Sequence, residues 1–438
     1  MGVIRYDDGS YYEGEIYDGY PHGYGKMYYY NGDVYEGDFY YGLAHGRGKE
    51  WYNCGDYYEG EFTDDKLTGY GKMWYSNGDY YEGYFTHGLR DGKGTYCYAN
   101  GDKYVGEYRD GEQCGYGIFY FYDGTWYEGD FFNGYFHGQG VRLYSDKVKY
   151  SGSFYNDVCE GYGKTWFPNG DYYEGNYYND KRNGEGTYYY ANGNKYVGNF
   201  VDNEFNGYGI LYFSDGTWYE GEFLNDYFHG KGKTKYSDGY IYEGDFFEGK
   251  RHGFGTLWFP NGGWYYGDFI NNKYQGKGLL LLENGIKYQA LFENGIITGE
   301  CKIWFPNGDY YEGSVSNYMM HGNGTLWFSN GGWYMGEIYN GNFHGKGLLG
   351  FANGDKFEAT FNNGVIEGNC KIWFANGNVY EGTVVDFLMD GYGTLWFANK
   401  DTYRGEFVKG EMHGIGEMWY SNQTYFKGEF VNNKPVNN

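Results

Sequence analysis

The sequence predicts an all-β protein, a solenoid-like array of 23-residue β-hairpins. One aromatic residue returns every 23 positions without insertion or deletion, from Tyr12, Tyr35 and Tyr58 through Tyr403 to Phe426. Self-similarity at this period marks one supersecondary unit stacked on itself. Each unit also carries two short aromatic-rich runs bounded by glycines and, in most units, an Asn-Gly pair, the mark of two strands and not of a helix. Eighteen full units span residues 12–425, flanked by half-units at 1–11 and 426–438.

Within a unit, numbered 1 to 23 from its leading aromatic, the expected strands are positions 1 to 5 and 14 to 18. Position 12 is Gly in all eighteen units, from Gly23 to Gly414, and its expected role is a left-handed backbone. Position 14 is Gly except at Cys301 and Cys370, and position 3 is Gly except at Ala290 and Ala359. The Asn-Gly at positions 20 and 21 predicts a hairpin with a three-residue loop and Gly in the left-handed region.

That loop sets position 17 opposite 23, and positions 16, 15 and 14 opposite 1, 2 and 3 of the next unit. Internal covariation supports this register. Trp at 17 accompanies an aromatic at 23 in Trp74/Tyr80, Trp166/Tyr172, Trp304/Tyr310, Trp327/Trp333 and Trp419/Tyr425. Lys at 15 often opposes Glu at 2, as in Lys26/Glu36, Lys49/Glu59, Lys72/Glu82 and Lys233/Glu243. Opposed residues in an antiparallel ladder share a face. Period-two alternation then places Tyr311, Gly313, Val315, Gly324, Leu326 and Phe328 on one face, read as the packed one. The paired glycines leave a slot in which rings from adjacent hairpins lie flat. Glu312, Ser314, Thr325, Trp327 and Trp333 fall on the other face, read as presented to partners, with Trp327 expected to touch Trp333.

The pattern resembles the MORN repeat (membrane occupation and recognition nexus). The resemblance rests on Tyr219-Glu220-Gly221-Glu222-Phe223 followed by His229-Gly230-Lys231-Gly232, and on the recurring Asn/Asp-Gly. It implies antiparallel hairpins joined in one long, twisted, open sheet, and cytoskeletal, ciliary or membrane-contact settings. Thirty-six strands at about 4.8 Å each would give a ribbon of roughly 170 Å.

Composition narrows the function. Of 438 residues, 25% are aromatic and 81 are Gly, and the net charge is −25. Nucleic acid, which needs clustered Lys and Arg, is not an expected partner. Anionic lipid is disfavoured for the same reason. The six cysteines are scattered over different repeat positions, which predicts free thiols in a reducing compartment and no zinc site. No apolar stretch is long enough for a membrane helix and no signal-peptide core is present. A cytoplasmic protein follows, with cytoskeletal or membrane association from the resemblance. The array reads as a single domain. A longer rhythm within it changes from four units to three near residue 242: Gly255-Thr256-Leu257-Trp258-Phe259 recurs at Gly324, and Cys301-Lys302-Ile303-Trp304-Phe305 recurs at Cys370.

Candidate chemistry is sparse. Eight histidines share position 11, among them His22, His45 and His137. A catalytic His is singular and carries a base partner, so these read as structural residues at the hairpin bend, with weak metal capture between neighbours as the alternative. Gly-x-Gly occurs where a strand begins, not between strand and helix, which argues against a nucleotide loop. No catalytic residue, cofactor or metal site is expected, and the chain is not expected to be an enzyme. The leading reading is an elongated scaffold that binds a helix or peptide laid along the sheet through Trp304, Trp327, Trp333, Trp373, Trp396 and Trp419. Simple sheet stabilisation is the competing role of these tryptophans. A phosphoinositide-binding module that tethers membranes is the alternative function. Because each terminal half-unit exposes a strand edge, head-to-tail self-association is a further expectation, with Pro435 as an obstacle.

Overall fold

The computed structural model describes residues 1–436, so Asn437 and Asn438 of the last half-unit lie outside the described residues. Among those residues 39 strands and no helix form one open antiparallel sheet. Strands cluster into two compact units. The first is Met1–Gly216 with Phe223–Asp226; the second is Thr217–Glu222 with the chain from Tyr227 onward.

The first unit shows how the repeat folds. Strand β1 (Gly2–Arg5) pairs with β2 (Tyr11–Tyr17) in the expected register, Gly2 opposite Gly14 and Arg5 opposite Tyr11. The connecting three-residue loop is closed by the Tyr6 amide donating to the Ser10 carbonyl at 2.9 Å, with Gly9 at φ 96°. The same loop follows β3 (Tyr20–Tyr28) and leads into β4 (Val34–Tyr40), setting Tyr28 against Val34, Met27 against Tyr35 and Lys26 against Glu36.

The bend between β2 and β3 differs from expectation. It is a two-residue turn at positions 7 and 8, Asp18 and Gly19, both at positive φ (49° and 78°). Two such residues match the right-handed twist of the flanking strands. The strands are therefore longer than expected, running from position 23 to 6 and from 9 to 17. Position 11 is not at the bend. His22 lies within β3 beside a bulge, where the register jumps from Gly14/Gly25 to Ile16/Pro21. Gly23 makes that bulge possible, and the eighteen position-12 glycines all have positive φ, from 56° to 99°.

The glycines at positions 3 and 14 serve close approach. In the first full repeat the ring of Tyr12 lies over Gly14 and Gly25, and a Cβ on either would collide with it. The ring belongs to the same hairpin, not to an adjacent one as the sequence suggested. Its hydroxyl donates to the Glu15 carbonyl at 2.7 Å. The identical bond recurs from Tyr35 to Asp38, Tyr127 to Asp130, Tyr311 to Ser314 and Tyr403 to Glu406. These tyrosines are essentially inaccessible to solvent, so the packed face is the one the alternation predicted. Where position 5 is aromatic, the tyrosine meets that ring of its own unit and of the next edge-on: Tyr35 lies 5.0 Å from Phe39 and 4.8 Å from Phe62. Position 10 completes the layer. In some units it is aromatic and stacked, as in Tyr127–Phe136 (3.9 Å), and in others an arginine spread over the rings, as Arg90 is over Tyr96 and Tyr108.

Two units lack the glycine slot. Where Ala290 and Cys301 replace the pair, the Tyr288 hydroxyl no longer bonds within its hairpin but donates to the Tyr318 carbonyl at 3.0 Å. Where Ala359 and Cys370 do so, the leading residue is Phe357, 5.8 Å from Phe387. Tyr318 and Phe387 occupy the same position 8 of the following unit, both at positive φ.

Side chains of position 22 join successive loops. Asp33 accepts from the Asn53 amide at 2.7 Å, Asp79 from Ala99 at 2.8 Å and Asp171 from Ala191 at 2.8 Å. Asn does the same from Asn194 to Ser214 and from Asn378 to Ala398. Burial opposes ionisation of Asp171. The Ala191 amide, Tyr188 hydroxyl, Asn169 amide and nearby Arg182 outweigh it and hold the carboxyl below its usual range.

Two outcomes are expected. Gly230→Ala, at φ 56° and facing Glu222, should lower unfolding stability by about 1 kcal/mol or more, read by urea denaturation. A carboxyl held below its unfolded pKa stabilises the fold above that value, and the contribution fades as pH falls through the folded pKa. The melting temperature should therefore drop below about pH 4. Asp171→Asn, which keeps the amide acceptor, should lose less over that window than the parent.

Candidate functional site

The face opposite the tyrosines carries charge and tryptophan, as the alternation predicted. The four opposed Lys/Glu pairs named from sequence are ion pairs: Lys26–Glu36 at 3.0 Å, Lys49–Glu59 at 3.7 Å, Lys72–Glu82 at 3.3 Å and Lys233–Glu243 at 2.9 Å. They are solvent-exposed, so each contributes little, on the order of 0.5 kcal/mol.

Beside them positions 17 and 23 form a row that crosses strand after strand. In the second unit the cross-strand order from Lys287 is Trp304, Tyr310, Trp327, Trp333 and Gly350, then Lys356, Trp373 and Val379, then Trp396, Thr402, Trp419 and Tyr425. All six candidate tryptophans therefore fall on one row of one face. Trp327, Trp396 and Trp419 are about 40% exposed (40%, 40% and 39%), and Trp304, Trp333 and Trp373 are half-buried.

Ring contacts are uneven along the row. Trp304 and Tyr310 are 5.4 Å apart, and Tyr310 stacks on Trp327 at 5.2 Å. Lys287 Nζ sits 4.4 Å over the Trp304 ring, and Lys371 Nζ 5.5 Å over Trp373. Trp327 and Trp333 are opposed in register, but the Trp333 indole lies over Gly350, whose missing side chain gives it room. The expected Trp327–Trp333 ring contact is thus replaced by Tyr310–Trp327 stacking on one side and Trp333 over Gly350 on the other.

A second apolar feature lies beyond the strand end that the sequence predicts at position 5, because the strand runs on to position 6. Position 6 points to the same face and is often aromatic, and the position-11 histidine packs against one or two such rings. His22 is 5.3 Å from Tyr17 and 5.4 Å from Tyr40; His137 is 5.5 Å from Phe132 and 5.2 Å from Tyr155. These contacts support the structural role of the repeated histidines. The recurrence of an aromatic or aliphatic residue at position 6 was the available signal.

Hairpins of this kind, most of them with a glycine-bedded tyrosine, define a β-hairpin repeat protein. The family model for the MORN repeat matches eighteen successive segments, from 12–34 and 35–57 to 380–402 and 403–425, and the chain belongs to the MORN-repeat family. Comparison with curated proteins gives no match. Among solved structures, the chain is similar to the SAS-4 TCP domain of Drosophila melanogaster in complex with a proline-rich motif of Ana2: 13% identity, 40% of this chain, 83% of that chain, TM-score 0.22. The TCP10 domain of Danio rerio CPAP with a STIL peptide gives 12% identity over 51% of this chain and 90% of that one, TM-score 0.19. Virginiamycin B lyase of Staphylococcus aureus gives 12% identity, 55% and 82% coverage, and TM-score 0.12. Scores this low carry no argument about function.

Proposed function

We propose that the chain is a non-enzymatic scaffold that binds a protein partner, a helix or extended peptide laid across the strands of its second unit. The observation that carries this reading is the row of partly exposed tryptophans from Trp304 to Trp419 on one face, flanked by lysine and glutamate. Aromatic anchors within a polar rim are the arrangement from which protein interfaces draw most of their binding energy. Membership of a repeat family fits a surface built by repetition, in which neighbouring units offer successive anchors.

A cytoplasmic setting, at cytoskeletal or membrane-associated structures, belongs to the same proposal. It is supported by six cysteines that are all unpaired. Burial pushes the thiols of Cys159 and Cys301 up to about 12 and that of Cys370 to about 11, so the three are unreactive in place. Phosphoinositide binding is the competing reading, and the net charge of −25 opposes it.

The double variant Trp373→Ala with Trp396→Ala should weaken partner capture by tenfold or more while moving the melting temperature by only a few degrees, as loss of partly exposed anchors implies. A large fall in melting temperature with undiminished capture would assign these rings to sheet stability instead. Co-sedimentation with phosphoinositide vesicles at physiological salt should show no binding. Vesicle binding that survives the double variant would favour the lipid reading.

A further inference from the structure

One hairpin combines two small buried residues on the packed face. In Tyr150–Tyr172, position 10 is Cys159 and position 16 is Thr165, both small and buried, where other units place Phe205 or Leu257. Beside these small residues lies a solvent-open cavity of about 570 Å³, walled by the rings of Tyr144, Tyr150, Phe167 and Tyr177. That volume lies within the range of small-molecule sites.

Most polar groups in the lining already have partners. The Thr165 hydroxyl pairs with Tyr177 Oη, Tyr144 Oη with Cys159 Sγ at 3.5 Å, and the Tyr150 hydroxyl donates to Ser153. Asp180 accepts from the Cys159 amide at 2.7 Å and Asp146 from the Val148 amide at 3.0 Å. Arg182 donates through Nη2 to the Asn203 carbonyl at 2.9 Å and through Nε to its Oδ1 at 3.3 Å. Arg142 differs. Its guanidinium is held only by ring faces, 4.6 Å over Tyr144 and 5.4 Å over Phe136, and among the described residues no acceptor takes its N–H groups. The arginines that reach this face from position 10, Arg90, Arg182 and Arg251, each donate to a backbone carbonyl, whereas Arg142 stands at position 16. A guanidinium carries five donors in a planar fork suited to a carboxylate.

The two arginines are balanced by Asp146 and Asp180, so the lining is neutral overall. A multiply charged phosphate would gain from the arginines and lose to the aspartates, whereas a single carboxylate placed at Arg142 avoids most of that repulsion. We propose that this cavity binds a small organic monocarboxylate, its carboxylate on Arg142 and its apolar body against the tyrosine rings. The site does not depend on the tryptophan row.

The test uses the full chain and three probes: phenylacetate, its neutral isostere phenylacetamide, and inorganic phosphate, with affinities from ligand-observed NMR. Phenylacetate should bind at least about tenfold more tightly than the amide, since only the acid forms a charge-assisted pair. Arg142→Gln should remove that preference. Thr165→Leu should abolish binding of both by filling the cavity; it should fold, because Leu occupies the same position at Leu257 and Leu326, both buried. Phosphate should not displace phenylacetate. Equal affinity for acid and amide, binding unchanged in either variant, or displacement by phosphate would each overturn the proposal.

Discussion

The fold depends on a tyrosine ring lying flat on two glycines. An open sheet has no second layer to cover its packed face, so burial must come from the side chains of the sheet itself. A ring can lie parallel to the sheet only where the strands beneath lack Cβ atoms, and paired glycines at positions 3 and 14 supply that bare patch. Glycine within a strand costs roughly 0.5–1 kcal/mol relative to alanine. Burying an aromatic side chain returns about 2–3 kcal/mol, and the hydroxyl bond to the position-4 carbonyl about 1 kcal/mol more. The exchange is favourable wherever the glycine pair is kept, and it accounts for the recurrence of Gly at positions 3 and 14 together with Tyr at position 1.

Acidic residues do two separate jobs. At position 2 they pair with lysine on the exposed face, where water screens them. At position 22 they reach an amide twenty residues on, tying each loop to the next, as Asp79 does to Ala99. Asn194 and Asn378 fill the second role without charge, so geometry rather than charge is what that role requires. The negative balance of the chain is therefore partly a by-product of a hydrogen-bond device.

The period, the loop at Asn-Gly, the 17/23 register, the two faces and the left-handed position-12 glycine were legible because each recurs with one residue type or one paired choice. The second bend was not. Its two residues vary from Asp18-Gly19 to Asp64-Asp65 to Asn271-Asn272, since several short polar side chains tolerate positive φ. Without that bend the strand seemed to stop early, and the histidine and position-6 rings lost their place on the exposed face. Which hairpin owns the ring in the glycine slot also lay beyond the sequence, because positions 3 and 14 face each other both within a unit and across to the next. The tryptophan row was foreseen as a row. Its internal contacts turn on one glycine, Gly350, whose effect on Trp333 is a matter of local room.

Units that lost the glycine slot show how such an array can grow. The Tyr288 hydroxyl finds its acceptor in the hairpin that follows, and Phe357 likewise packs on Phe387 one hairpin later. A gene segment encoding only the altered hairpin would leave its ring without the neighbour that receives it. The smallest heritable block there is two hairpins, not one. Elsewhere the contacts between successive units repeat in kind, so a copied unit meets the same partners, whereas at Ala290 and Ala359, which sit 69 residues (three units) apart, the partner is particular to the next hairpin.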